Sequence, residues 1–151
     1  MDIKVDAVID DQVIGLIREH LQGMSRLSPP ESIHALGLEA LRQSNVAFWT
    51  VWEGRELLGC GALKERDRQH GEVKSMRTSP AHLRKGVAKY VLQHIIQVAR
   101  QRGYRSLSLE TGSRAAFEPA RALYARVGFR FCAPFGDYVE DPHSAFMTLD
   151  L

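Results

Sequence analysis

A chain of 151 residues, 44% hydrophobic and 25% charged, is long enough to bury a core without disulfides or metals, and this composition excludes a disordered or fibrous chain. Its formal charge of +2 is small and evenly spread, so no concentrated basic face for nucleic acid is expected. No apolar run approaches the ~20 residues of a membrane span and no charged-then-apolar leader precedes the first segment, which predicts a cytoplasmic protein without a membrane partner.

Hydrophobic positions switch repeatedly between strand and helix periods, as in a mixed α/β domain. Residues 1–8 alternate as a strand, and residues 10–21 place Val13, Leu16, Ile17 and Leu21 on one helical face. Ser28, Pro29, Pro30 and Glu31 read as a capping box with prolines in the first turn, predicting a second helix whose stripe is Ala35, Leu36, Leu38 and Leu41 and which ends near Gln43. Residues 46–52 and 56–64 are strands joined through Glu53-Gly54-Arg55, and residues 73–78 follow after a polar loop at 66–71. These three should be antiparallel neighbours. Val87, Val91, Ile95 and Val98 mark a long amphipathic helix stopped by Gly103. A strand at 107–111, a helix at 117–127 closed by Gly128, and strands at 129–135 and 146–151 complete one domain over residues 1–151. Trp49 and Trp52, three apart on an alternating strand, should point to opposite faces.

Cys60 and Cys132 lie in apolar contexts without CxxC spacing and read as buried reduced thiols; the six histidines form no HxxxH or HExxH pair, so no metal is expected. The chemistry concentrates in residues 72–88, EVKSMRTSPAHLRKGVA, which read as a strand, a Pro-marked loop and a basic, Gly-containing turn opening a helix. The first N–H groups of a helix lack intrahelical partners and carry the positive end of its dipole, so such a start binds phosphate. Arg84 and Lys85 add charge, while Gly86 and Ala88 allow close approach to the backbone. An ordinary basic helix start has the same residues, and both readings stand at this level.

This strand, Gly-turn and helix, followed at the right separation by Ala120, Leu123, Tyr124, Gly128 and Phe129 of ALYARVGF, resembles the GCN5-related N-acetyltransferases (GNAT) over nearly the whole chain. The resemblance implies an α/β fold with a mixed, mostly antiparallel sheet of six to seven strands and about four helices on both faces. It also implies direct acetyl transfer from acetyl-CoA to an amine, without an acyl-enzyme. The cofactor-binding residues it implies are Met76, Arg77 and Thr78 on a bulged strand edge facing pantetheine, and Leu83, Arg84, Lys85, Gly86, Val87, Ala88 and Lys89 at the pyrophosphate, with Thr111 and Phe117 opposite. An N–H near Met76 or Arg77 would polarise the thioester carbonyl.

Tyr124 is then the general acid for the CoA thiolate. Glu72, fourteen residues before Gly86, has the spacing of the base in the histone-acetylating branch. A packing aromatic and a solvated strand-end carboxylate are the plain alternatives. Three positions depart from the family pattern: Leu83 replaces the usual Gln or Arg, Ala88 replaces the second glycine, and Phe117 stands where an Asn often reaches the cofactor, a contact left to Ser113 or Arg114. Segments such as SPPESIHALGLE and EDPHSAFMTL resemble a small bacterial branch, some of whose members carry the label indole-acetate acetyltransferase, although a carboxylate is a poor acetyl acceptor beside an amine. Acceptor-binding candidates are Arg26, Glu31, His34 and Tyr138, with Arg26 suited to a substrate carboxylate. The expected substrate is a small amine, an amino acid or a relative of one. A protein lysine or N-terminal acetyltransferase and a non-catalytic acetyl-CoA sensor are the alternatives, and a homodimer through the exposed edges of the terminal strands is compatible with all three.

Overall fold

The computed structural model describes residues 1–151. Its centre follows from three consecutive strands with buried apolar runs: β1 (Asp2–Val5) is followed, after the first helix, by β2 (Val46–Glu53), β3 (Glu56–Asp67) and β4 (His70–Thr78). Gly54-Arg55 and Arg68-Gln69 are short enough to force antiparallel hairpins, and β1 adds antiparallel to the outer side of β2. β5 (Ser106–Gly112) reaches β4 through a helical crossover and is therefore parallel to it, while β6 (Arg130–Phe131) and β7 (Ser144–Asp150) return antiparallel. The resulting seven-stranded sheet has the order β1-β2-β3-β4-β5-β7-β6.

Helices cover both faces. α1 (Asp11–Leu27) starts where the Asp10 carboxylate accepts the Gln12 amide, and with the single turn α2 (Leu38–Leu41) it covers a core of Val13, Leu16, Ile17, Leu41, Phe48 and Trp52. On the other face, α3 (Val87–Gln101) and α4 (Glu118–Val127) pack over Trp49, Val51, Leu63, Val73, Leu107, Leu109 and Met147. The two tryptophans thus belong to opposite cores, as their spacing predicts. α3 alone buries Val87, Val91, Leu92, Ile95, Ile96 and Ala99, with each large aliphatic group contributing about 1.5–3 kcal/mol. It sits tightly on β3 because Gly59 and Gly61 present no side chain there: a Cβ at Gly61 would lie 2.5 Å from Val91 Cγ1, and one at Gly59 2.7 Å from Val87 Cγ1.

The second helix expected over residues 28–43 does not form. The stripe of α1 continues through Met24 to Leu27, and Ser28 closes that helix instead of opening another, its N–H donating to the Met24 carbonyl. The Pro29-Pro30 pair removes two backbone donors and Gly37 interrupts the stripe, leaving a 3-10 turn at Pro30–Ser32, extended chain, and the single turn of α2. The polar loop expected at 66–71 is mostly strand, with only Arg68 and Gln69 in the turn. The sixth strand shrinks to Arg130–Phe131, and residues 132–143 form a long connection over the sheet. Cys60 is buried with its thiol pushed up to about 12 by burial, whereas Cys132 is only half-buried, and neither is in a disulfide.

Candidate active site

The sheet opens at its centre. In the β3–β4 register, Cys60 pairs with Arg77 and Ala62 with Lys74, so Ser75 and Met76 both stand against Gly61 as a β-bulge. Ser75 adopts φ 56°, a left-handed conformation that costs a non-glycine residue about 1 kcal/mol, and its carbonyl accepts the Cys60 thiol at 3.3 Å. The bulge turns β4 away from β5: their parallel pairing covers only His70 to Glu72 against Ser106 to Ser108. Beyond it lies a cavity of about 410 Å³, lined by His20, Met24, Ser32 and His34 on the α1 side and by Leu83, Ala88, Ala120, Leu123 and Tyr124 on the α3 and α4 side.

On the α3 side, backbone dominates. Arg84 (φ 63°) and Gly86 (φ 81°) both turn through left-handed geometry, which curls the chain immediately before α3, and no side chain caps the helix. The first amides of α3 are consequently open to an anion. Lys85 is tethered beside them: its Nζ donates to His82 Nδ1 at 3.0 Å, and His82 Nε2–H donates to Glu56 at 2.6 Å. Tyr124 is buried on α4, yet its hydroxyl has no protein hydrogen-bond partner and borders the cavity. Burial, with the Glu110 charge nearby, raises its pKa, so it carries its proton at neutral pH.

On the α1 side, charged side chains dominate. The Glu72 carboxylate is 1% exposed and receives Arg66 Nη1 at 2.7 Å, Lys74 Nζ at 3.0 Å and Tyr138 Oη at 2.6 Å. Burial pushes this carboxyl up, but the Lys74 charge and the three hydrogen bonds outweigh burial and hold it below the usual range. Glu110, exposed to the cavity from β5, has the opposite balance: burial raises its pKa, and the Ser144 hydroxyl stands beside it without completing a hydrogen bond. Leu109 belongs to the α3 and α4 core, so its neighbour Glu110 points to the other face. Two segments remote in sequence roof this side. Ser32 Oγ donates to Asp141, and the His34 and Tyr138 rings meet edge-on at 4.9 Å. Phe135 and Phe146 pack on Tyr138 at 5.0 and 5.4 Å. His20, on α1, is nearly fully buried and has Nδ1 unpartnered; burial, then the Arg77 charge, lowers its pKa to about 4.

Residues 16–129 match the model of the acetyltransferase (GNAT) family. The chain belongs to the GNAT acetyltransferase family. It is 64% identical over 151 residues to the uncharacterized N-acetyltransferase YsnE of Bacillus subtilis (strain 168), covering 100% of both chains. It is 34% identical over 148 residues to the IAA acetyltransferase of Azospirillum brasilense, covering 97% of this chain and 95% of the other. Its fold is shared with a Bacillus subtilis acetyltransferase crystallised in complex with CoA: TM-score 0.71, 19% identity, 99% of this chain and 97% of that one. As a GNAT protein it is an acyltransferase, and no helix is long and apolar enough to cross a membrane.

Within this GNAT fold, Met76, Arg77, Thr78, Leu83, Ala88, Thr111 and Phe117 line the cavity together with Tyr124. Arg84, Lys85, Gly86 and Lys89 lie exposed at the start of α3, where Val87 is buried in the core. Of the acceptor candidates, His34 lines the cavity and Tyr138 packs against it. Arg26 and Glu31 are exposed and do not line it. Arg26 complements the carboxyl end of the α1 dipole, and Glu31 has no capping partner because its helix is absent. Ser113 and Arg114 bond Pro142 and His143 and do not line the cavity. Three ionisable cavity residues have no site role in the sequence reading: His20, Lys74 and Glu110. A period-2 count from Glu72 and Ser108 places Lys74 and Glu110 on one face, but only the split makes that face a site.

Proposed function

We propose that this GNAT protein transfers acetyl from acetyl-CoA directly to the amine of a small molecule, an amino acid or a related amine, with Tyr124 as acid and Glu110 as base. The open start of α3, with Arg84 and Lys85, takes the pyrophosphate, and the β4 edge from Met76 to Thr78 takes pantetheine as an added strand would. Glu110 accepts the proton lost by the acceptor ammonium, the amine nitrogen attacks the thioester carbon, and an amide near Met76 or Arg77 holds the oxyanion. As the intermediate collapses, the C–S bond breaks, the thiolate takes the Tyr124 proton, and the positively charged nitrogen gives up its second proton, which restores Tyr124 and leaves a neutral amide.

The single observation that carries this reading is that Tyr124 and Glu110 face one cavity from opposite sides of the split, one held protonated and the other poised to accept a proton. Glu72, expected from its spacing to be the base, has both carboxylate oxygens engaged by three donors, which supports a post that fixes Arg66, Lys74 and Tyr138. Calorimetric titration with acetyl-CoA, followed by thiol release against amines, amino acids, polyamines and a lysine peptide, tests the function. Binding with release on small amines is expected, and Tyr124→Phe should lower kcat by about 10²–10⁴-fold with acetyl-CoA affinity unchanged. Binding without release would favour a sensor, release only on the peptide would favour a protein acetyltransferase, and absence of binding would overturn the cofactor assignment.

A further inference from the structure

The two lips of the split carry opposite charges. Glu72 is the last β4 residue paired with β5, opposite Ser108, so two residues further along the same face Lys74 and Glu110 stand level across the gap. Both line the cavity and their charges act on each other, yet they form no ion pair. The Lys74 side chain is only 8% exposed. Its ammonium has three donors: one goes to Glu72 Oε2 and one to Tyr138 Oη, both at 3.0 Å, and no protein group takes the third.

The pairing of charges points the same way. Glu72 is one carboxylate shared between two cations, Arg66 and Lys74, and the second carboxylate of the cavity, Glu110, stands across the gap without pairing with either. An unpaired donor on a buried ammonium is costly, and an arriving anion removes that cost. His34, beside Lys74 on the cavity wall, is kept toward its neutral form by burial and by the Lys74 charge, so it adds hydrogen-bonding capacity without changing this balance.

We propose that Lys74 anchors a carboxylate on the acceptor, and hence that the acceptor is an amino acid or another small molecule bearing its amine within a few bonds of a carboxylate. This rests on the N-acetyltransferase reading above. A zwitterion laid across the split meets its opposite at each end, carboxylate on Lys74 and ammonium on Glu110. Binding on one lip therefore delivers the nitrogen to the base on the other. Lys74 takes the anchoring role that the sequence suggested for Arg26, which lies outside the cavity.

The test compares L-phenylalanine, L-methionine and L-glutamate with their α-carboxamides, which keep size and amine but lose the anion. With the native enzyme, thiol release should favour the free acids by at least ~10-fold in kcat/KM, mainly through KM. Lys74→Met should abolish that preference by raising KM for the acids alone, and Lys74→Arg should restore part of it; a purely structural lysine would affect acids and amides equally. If Lys74→Met fails to fold, the native comparison still decides. Equal turnover of acids and amides overturns the anchor while leaving N-acetyl transfer intact. No release with any of these acids or amides, while other amines are acetylated, likewise overturns the anchor, and no release with any amine overturns the function and the anchor with it.

Discussion

The two sides of the split are built by different means. Toward α3, the site is backbone: a curled turn before an uncapped helix and the edge of a bulged strand, all supplied by the continuous stretch from Ser75 to Lys89. Toward α1, it is side chains drawn from Arg66, Lys74, Glu110, Tyr138 and His34, which meet only because the sheet brings their segments together. In the proposed reading, a cofactor shared by a whole family is served by local backbone geometry. An acceptor peculiar to one branch would then be read by side chains that can change one at a time.

The sharpest way to break this contrast is to separate Glu72 from Glu110. Glu72→Gln leaves Arg66 and Lys74 without a counter-charge and should cost about 3–5 kcal/mol of stability by urea denaturation, whereas Glu110→Gln should spare stability and lower kcat at neutral pH. A rate loss at Glu72 with stability intact would exchange their roles. Because burial raises the Glu110 pKa, the native enzyme should also lose kcat/KM on acidification at a higher pH than an ordinary glutamate would impose, and the Gln variant should lack that limb.

A smaller effect concerns His20. Its pKa falls from 6.5 unfolded to about 4 folded, so between those values the unfolded chain binds the extra proton, and stability rises with pH. The contribution is complete above the unfolded value and is lost as pH falls toward 4, about 3 kcal/mol in all. His20→Asn should flatten the acid side of a plot of melting temperature against pH; an unchanged slope would place the acid sensitivity elsewhere. The smallest effect expected is at the bulge. Ser75→Gly removes left-handed strain and an unpartnered buried hydroxyl, and should raise stability by about 1 kcal/mol while lowering turnover, because a looser bulge holds the thioester less firmly.

Legibility in the sequence follows the same division. The order of strands and the α3 turn are local features, written in hydrophobic period and in Arg84, Lys85 and Gly86, and the fold agrees with the family resemblance. Failure came where tertiary packing overrode a local signal: Ser28 and Glu31 spell a cap, but α1 had more apolar surface to bury through Leu27 and the prolines blocked a restart. Glu72 was visible by spacing, yet its engagement by Arg66 and Tyr138 depends on a hairpin and on a loop more than sixty residues away. Lys74 and Glu110 were illegible because their proximity requires the register at which β4 and β5 part.

That parting, lined from both faces of the sheet, has a kinetic consequence. In the proposed reading the cofactor and the acceptor lie on opposite sides of the split, so neither must leave before the other arrives, and no cysteine lines the cavity to carry an acyl group, Cys60 being buried in the core. Initial rates measured against both substrates should therefore give intersecting double-reciprocal lines, the signature of a ternary complex, rather than the parallel lines of a substituted enzyme.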